Sequence, residues 1–77
     1  MQYTSHLLRH TRCIIGNNIH RLRSEQKLPL KKLSRISHVP ELLIDHYELG
    51  KNEISLEELL KLACALGVEV ETLITAN

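Results

Sequence analysis

The apolar positions in the first third of the chain repeat with a helical spacing. Ile15, Ile19 and Leu22 follow one another at intervals of four and three residues, and most positions between them are polar or charged. This spacing gathers the apolar side chains on one side of an α-helix. The pattern predicts an amphipathic helix over residues 15–27, which ends before Pro29 because the proline ring interrupts a helix but suits the first turn of the next one.

Two shorter helices are predicted next, joined by a tight turn. The second helix is expected over residues 29–36 and the third over residues 40–48, where Gly50 ends it. His38 lies in the turn at a position that requires a left-handed backbone. Histidine is enriched at positive φ among the non-glycine residues, so the sequence is compatible with this turn.

A helix with an N-terminal cap is predicted in the second half of the chain. Ser55 and Glu58 have the spacing of a capping box, which predicts a helix over residues 55–66 that stops at Gly67. A short fifth helix is predicted over residues 70–75. The inward side of the capped helix is expected to carry Leu56, Leu59, Leu60, Ala63 and Leu66.

The start of the chain shows no helical periodicity over enough residues to predict a helix. We therefore interpret residues 1–14 as an N-terminal arm and residues 15–77 as a single all-α domain of five helices. Phe and Trp are absent from the 77 residues, so aliphatic side chains must build the core. A core this small often needs a partner subunit, and we expect a homodimer.

Charge is divided unequally along the chain. Residues 1–40 contain eight Lys and Arg and one Glu, a net charge of +7, whereas residues 41–77 contain two Lys and eight acidic residues, a net charge of −6. A basic face attracts a phosphate backbone. The division is consistent with binding of a polyanion through the front half, and equally with a solvated surface that happens to segregate.

The distribution of cysteines and apolar residues indicates where the protein acts. Cys13 and Cys64 are too few and too far apart for a secreted disulfide scaffold, which predicts reduced thiols. The apolar runs are too short for a membrane span or a signal peptide. We expect a cytoplasmic protein.

Catalytic and metal-binding motifs are weak. His6, His10 and Cys13 have the spacing of side chains on one helix face and are the best candidates for metal ligands, but a fourth ligand is missing. We interpret the histidines as surface residues and expect no metal and no cofactor. The chain has no glycine-rich phosphate loop and no nucleophile elbow, so we expect no enzyme activity.

The order of these helices and their residues resembles the Cro and phage-repressor type of helix-turn-helix regulators, also called the xenobiotic-response-element family. The resemblance covers residues 15–74 and is most specific over residues 55–68. It is carried in front of that run by Ile19, Arg23, Leu28, Leu33, Ser34, Val39, Ile44, Tyr47, Glu48, Gly50 and Lys51. It implies a dimeric, sequence-specific DNA-binding domain that represses transcription from a palindromic operator, with the third helix in the major groove.

The resemblance also implies which residues meet the DNA. The base-facing positions would be Leu30, Glu41, Leu42, Asp45 and His46. The phosphate contacts would come from Lys31, Lys32, Arg35 and Lys51. The dimer seam would comprise Leu62, Val70 and Leu73, with Leu7, Leu8 and Ile14 as the second choice.

The base-facing set differs from what is common in the family. Leu30 occupies a position that usually carries a glutamine, and the third helix presents carboxylates where uncharged polar or basic residues are usual. Carboxylates can accept hydrogen bonds from cytosine N4, and leucine can pack on a thymine methyl group. An alternative hypothesis is a helix-turn-helix fold used for protein–protein interaction, with Leu30, Leu42 and Leu49 as an apolar patch for a partner.

Overall fold

The computed structural model describes the backbone of residues 2–76 and the side chains of residues 9–76. Within this range the chain forms five helices and no strand. The helices are α1 (Gln2–Glu25), α2 (Leu30–Ser37), α3 (Glu41–Glu48), α4 (Leu56–Leu66) and α5 (Val70–Ile74). The all-α fold of five helices is therefore confirmed, and the bounds of α2 to α5 agree with the predicted bounds to within one residue.

The first helix differs from its prediction at both ends. It begins at Gln2, so most of the segment interpreted as an arm has helical backbone continuous with the domain. Its C-terminus lies at Glu25, and Lys27 follows with a left-handed backbone at φ 54°. The expected start at residue 15 was wrong. The division of the chain into an arm of residues 1–14 and a domain of residues 15–77 stays a prediction.

The core lies between the five helices and forms one continuous cluster of buried side chains. Its fully buried side chains include one from each helix, namely Ile19, Leu33, Ile44, Leu62 and Leu73. The crossing of α1 and α3 is close because Gly16 has no side chain, and a Cβ there would overlap the carbonyl oxygen of Tyr47. Any larger residue at this position would push α3 away from α1.

The inward side of α4 is rotated from the predicted one. Leu56 and Leu60 are 69% and 50% exposed, whereas Leu62 is completely buried. The assignment of Leu56 and Leu60 to the core was therefore wrong. The predicted cap is confirmed, because the Ser55 hydroxyl accepts a hydrogen bond from the Glu58 amide at 3.2 Å.

A side-chain amide within α1 and another just after its C-terminus bond to the ends of α5 and α4. Asn18 is buried and donates to the carbonyl oxygens of Leu73 at 2.8 Å and Thr75 at 3.0 Å. Gln26 donates to the carbonyl oxygen of Leu66 at 2.8 Å. These bonds satisfy carbonyl groups at the ends of α4 and α5 that have no partner within their own helix. Among the described helices, none is long and apolar enough to cross a lipid bilayer.

Candidate nucleic-acid interface

The turn between α2 and α3 sets the angle between the two helices. His38 has φ 62° and its amide donates to the Ser34 carbonyl at 2.9 Å, which closes α2 with a left-handed residue as predicted. Val39 is 1% exposed and fills the inside of the turn. The Ser34 hydroxyl donates to the Val39 carbonyl at 2.6 Å, and the Val39 amide donates to the Ser37 hydroxyl at 3.2 Å. Short-range contacts thus hold α2 and α3 in a helix-turn-helix arrangement.

A buried ion pair anchors the end of α3 to α1. The Arg23 guanidinium donates to both carboxylate oxygens of Glu48, at 2.7 and 3.0 Å, and the His20 ring lies 3.1 Å from one of them. Only 16% of the Arg23 side chain and 8% of the Glu48 side chain are exposed. Arg23 also donates to the carbonyl oxygen of Leu28 at 3.0 Å, in the segment that leads into α2. One guanidinium therefore connects α1, the start of α2 and the end of α3.

The ion pair changes the titration of both groups. Burial raises the pKa of Glu48, but the hydrogen bonds and charges of Arg23 and His20 outweigh burial and hold that pKa below its ordinary value of 4.5. The hydrogen bond to Glu48 raises the pKa of Arg23 above its ordinary value despite the opposing effect of burial. Both groups are therefore charged near neutral pH, and each compensates the other where water is largely excluded.

The pairing of Glu48 with Arg23 was not predicted from the sequence, where both residues appeared only among those that carry the family resemblance. A signal was present in the helical spacing. Glu48 follows the buried Ile44 by four residues and Arg23 follows the buried Ile19 by four, so both charges belong to the inward side of their helices. A buried charge is strongly destabilising unless an opposite charge pairs with it, so this spacing favours a pair between Arg23 and Glu48.

A hydroxyl group links α3 to α4. The Tyr47 hydroxyl donates to the Glu58 carboxylate, which also accepts from the Ser55 hydroxyl at 3.2 Å. Burial, with the hydrogen bond and charge of Glu58, raises the pKa of Tyr47 well above its ordinary value of 10.0. In a complete capping box the Glu58 carboxylate accepts from the Ser55 amide, but here it accepts from these two hydroxyl groups instead.

Four of the five predicted base-facing residues meet in one shallow depression. Leu30 from α2 and Glu41, Leu42 and Asp45 from α3 line it. Leu42 is 67% exposed, and Glu41 is exposed as well. Neither carboxylate has a hydrogen bond or an ion pair with another described residue. The depression combines free acceptors with apolar surface, and it contains no hydrogen-bond donor from a side chain.

The fifth predicted base-facing residue lies beside this depression rather than in it. His46 is half-buried, and its Nδ1 atom lies 3.5 Å from the amide nitrogen of Asn52, in the loop after α3. This separation is at the long limit for a hydrogen bond.

The predicted phosphate-binding cations lie in the sequence before and after the α3 residues that line the depression. They come from α2 and from the loop that follows α3, and all are exposed: Lys31, Lys32, Arg35 and Lys51. Within the described part of the chain none of them forms an ion pair. Their charges are therefore available to a ligand, in contrast to Arg23, whose charge is used inside the fold.

The predicted dimer seam needs a correction. Leu62 and Leu73 are both 0% exposed in the single chain, so they stabilise the monomer and have no surface to offer a second subunit. Val70 is half-buried and packs against the core. Of the second choice, Ile14 is half-buried, while the side chains of Leu7 and Leu8 lie outside the described residues.

The metal-ligand candidates are only partly described. The His6 side chain lies outside the described residues, and His10 and Cys13 are exposed on α1. Among the side chains that the structure describes, no three His, Cys, Asp or Glu residues come together in a metal-binding group.

Comparison with known proteins gives a consistent set of relatives. A family model described as helix-turn-helix matches residues 19–73. The restriction-modification controller protein C.AhdI from Aeromonas hydrophila is 29% identical and superposes with a TM-score of 0.78, covering 80% of this chain and 94% of its own. No curated protein sequence matches significantly.

Two further solved structures share the fold. The hypothetical transcription factor NHTF from Neisseria has 23% identity and a TM-score of 0.81, covering 86% of this chain and 76% of its own. An HTH_3 family transcriptional regulator from Vibrio cholerae has 20% identity and a TM-score of 0.81, covering 84% of this chain but only 36% of its own. At these identities the likeness extends to the fold alone.

Proposed function

The chain belongs to the helix-turn-helix family of DNA-binding transcription regulators, and we propose that it is a small dimeric repressor that reads a palindromic operator through α3. The observation that supports this most directly is the exposed face of the helix-turn-helix unit. Free cations and unpaired base-reading groups occur there together. The likeness to a controller protein over 94% of that protein's length supports a regulatory function for this domain.

In the proposed complex, attraction and discrimination come from different side chains. Lys31, Lys32, Arg35 and Lys51 neutralise phosphates on both sides of the major groove, which positions the protein without reading sequence. The α3 carboxylates cannot bind phosphates, so Glu41 and Asp45 act by accepting hydrogen bonds from base edges. The complex forms in the cytoplasm, on the chromosome or another duplex that carries the operator, and no catalytic step is involved.

Selection of bound fragments from random duplex DNA tests the proposal. We expect the wild-type chain to enrich a pseudo-palindromic sequence with half-sites about one helical turn apart. The double variant Lys31→Glu, Lys32→Glu should lose binding, while Lys61→Gln, which removes a cation that pairs with Glu57 on α4, should keep it. Failure to enrich any sequence, together with absence of salt-dependent binding to duplex DNA, would contradict the proposed function.

The dimer is proposed to form through the exposed apolar residues of α4. Leu56 and Leu60 are separated by one helical turn and are 69% and 50% exposed. An apolar patch exposed to water in this way is typical of a protein–protein interface. Leu60 lines a surface groove with Ile36, which is 47% exposed, so the apolar surface continues onto α2. Two copies related by a two-fold axis would bury the same patch on each subunit.

Sedimentation measures this assembly directly. Leu60→Glu should convert a dimer into a monomer that is still folded, because the side chain lies outside the core. Leu42→Glu serves as the control, since Leu42 is an exposed leucine on α3, away from the α4 patch, and its replacement should leave the dimer intact. A wild-type chain that stays monomeric at high concentration and on DNA would exclude the dimer.

A specific observation favours a second candidate function, the use of the fold for protein–protein interaction. Leu42 on α3 and Leu49, the residue that follows α3, are 67% and 60% exposed. Exposed leucines at such a position are typical of an apolar anchor for a partner. If this function is correct, Leu42→Asp should abolish a protein complex, and no DNA sequence should be selected by the wild type.

A further inference from the structure

The depression at the junction of α2 and α3 has an unusual combination of chemistry. The carboxylates of Glu41 and Asp45 supply acceptors only, and the side chains of Leu30 and Leu42 supply apolar surface. Neither carboxylate forms a hydrogen bond or an ion pair with another described residue, although the charge of Asp45 also acts on Arg23. A ligand that fits must therefore present a hydrogen-bond donor next to an apolar group.

The four bases of unmodified DNA do not present this combination on one major-groove edge. Cytosine has the N4 amino donor without an apolar group beside it, and thymine has the C5 methyl group beside the O4 acceptor, which a carboxylate repels. Guanine presents two acceptors, and adenine pairs its amino group with an acceptor at N7. A single unmodified base therefore satisfies either the carboxylates or the leucines.

Cytosine with a methyl group on C5 presents both groups side by side. Its N4 amino group donates as in cytosine, and its methyl group occupies the same place on the edge as the methyl group of thymine. The base would offer its amino donor to a carboxylate and its methyl group to a leucine of the same depression. The neighbouring bases of an unmodified cytosine–thymine step are the competing match, because together they also offer an amino and a methyl group.

We propose that this depression recognises 5-methylcytosine in the major groove, so that the protein distinguishes methylated from unmethylated DNA. The inference rests on the proposed function, because α3 must lie in the groove for the depression to meet a base edge. Glu41 and Asp45 determine the choice of an amino-bearing base, and Leu42 and Leu30 determine the response to the methyl group.

The first experiment selects binding sites from two random duplex libraries, one amplified with dCTP and one with 5-methyl-dCTP. The cytosine position that both selections enrich is then rebuilt in four duplexes that carry cytosine, 5-methylcytosine, uracil or thymine there, with the complementary purine opposite. Cytosine against 5-methylcytosine, and uracil against thymine, vary the methyl group alone, whereas cytosine against uracil, and 5-methylcytosine against thymine, exchange the pyrimidine amino group together with the purine opposite. Affinities are measured at one salt concentration, because salt alone changes affinity strongly.

We expect the 5-methylcytosine duplex to bind about fourfold more tightly than the cytosine duplex, the effect of burying one methyl group. The thymine duplex should bind about tenfold more weakly than the 5-methylcytosine duplex, because its O4 atom faces a carboxylate. Equal or weaker binding of the methylated duplex would overturn the inference. Selection of a cytosine–thymine step without a gain on methylation would also overturn it.

Three variants assign the effect to the depression. Leu42→Ala should reduce the methylation preference toward one, and Glu41→Gln, which introduces a donor, should weaken the preference for cytosine over thymine. Leu49→Ala is the control, since Leu49 is a comparably exposed leucine of the same region that does not line the depression. An equal loss of the methyl preference in Leu42→Ala and Leu49→Ala would contradict the assignment.

The two levels of the proposal fail in different ways. If the protein binds duplex DNA with a normal salt dependence and a defined sequence preference but does not respond to methylation, only this inference is wrong. If neither library yields a sequence and duplex binding is absent, the proposed function fails, and the inference fails with it.

Discussion

The two helices of the helix-turn-helix unit have the same length but opposite surface chemistry. α2 exposes Lys31, Lys32 and Arg35, whereas α3 exposes Glu41 and Leu42, and both helices have eight residues. A helix meant to attract DNA by itself would not carry unpaired carboxylates. In the proposed complex, this difference assigns the attraction to a polyanion to α2 and the selection among base edges to α3.

The two helices also differ in how they are held. α3 is tied to α1 by the ion pair of Arg23 and Glu48 and to α4 by the hydroxyl group of Tyr47. α2 depends on the buried Leu33 and on hydrogen bonds within the turn. α3, the helix proposed to read base edges, therefore has the more specific long-range contacts.

The largest expected effect comes from breaking the anchor of α3. Arg23→Leu leaves Glu48 buried with only the His20 ring beside it, and should lower the free energy of unfolding by about 3 kcal/mol. Chemical denaturation measures this. The exposed pair of Lys61 and Glu57 is the control, and Lys61→Gln should cost less than about 0.5 kcal/mol. Equal losses of unfolding free energy in the two variants would show that the buried pair of Arg23 and Glu48 stabilises the fold no more than an exposed pair.

The same anchor predicts a pH dependence of stability. Because the folded-state pKa of Glu48 lies below its ordinary value of 4.5, the unfolded chain binds the proton more readily. The contribution of the pair is therefore fully present above pH 4.5 and is lost as the pH falls through the folded-state pKa. Glu48→Gln should flatten this part of the stability profile, and an unchanged acid slope would contradict the assignment.

The attraction assigned to α2 is tested by the salt dependence of DNA binding. Four phosphate contacts per subunit imply that log affinity falls with log salt with a slope of about −3.6. Each of Lys31→Gln, Lys32→Gln and Arg35→Gln should reduce the slope by about 0.9. Affinity should fall by a similar factor on all sequences, and a sequence-dependent loss would move these residues to the base-reading set.

The discrimination assigned to α3 predicts the opposite response. Glu41→Ala or Asp45→Ala should relax the base preference at one or two positions of the selected site, by about 1–3 kcal/mol for each good contact that is lost. Binding to non-specific duplex should stay the same or become stronger, because repulsion from phosphates is removed. Selection and competition assays measure both. An unchanged base preference in both variants would show that these carboxylates do not read DNA.

The smallest expected effect lies in the turn that joins the two helices. His38 has φ 62°, a conformation that is strained for a residue with a Cβ atom. His38→Gly should raise the free energy of unfolding by up to about 1 kcal/mol, since relief of strain exceeds the entropy that glycine loses. Thermal unfolding measures the gain. DNA binding should not change, because the exposed faces of α2 and α3 keep their relative orientation.

Much of the fold could be predicted from local signals. The starts and ends of α2 to α5 depend on Pro29, Pro40, Ser55 and Gly67, whose effects act within one helical turn. The left-handed conformation of His38 is also a short-range feature that the sequence predicted. The grouping of Leu30 with the outward residues of α3 was also predicted, because the geometry of a helix-turn-helix unit leaves little freedom over so short a segment.

Other features depended on contacts that local patterns do not contain. No apolar stripe in the first residues predicted the extension of α1 to Gln2. The extension is possible because adding residues to an existing helix requires far less free energy than nucleating a new one. α4 carries more leucines than one face can bury, so its sequence allowed several inward sides. Packing against α1 and α2 decided that Leu62 is buried and Leu56 is exposed.

The sequence by itself determined the number and the short-range geometry of the helices, and it determined which chemistry is available on α2 and α3. Only the tertiary structure decided which charges are free for a ligand. Arg23 and Lys31 are both cations of the basic front half, yet Arg23 is bound to Glu48 across 25 residues of sequence and Lys31 is exposed. That distinction arises because burial removes water from one pair of facing helix surfaces and leaves it on another.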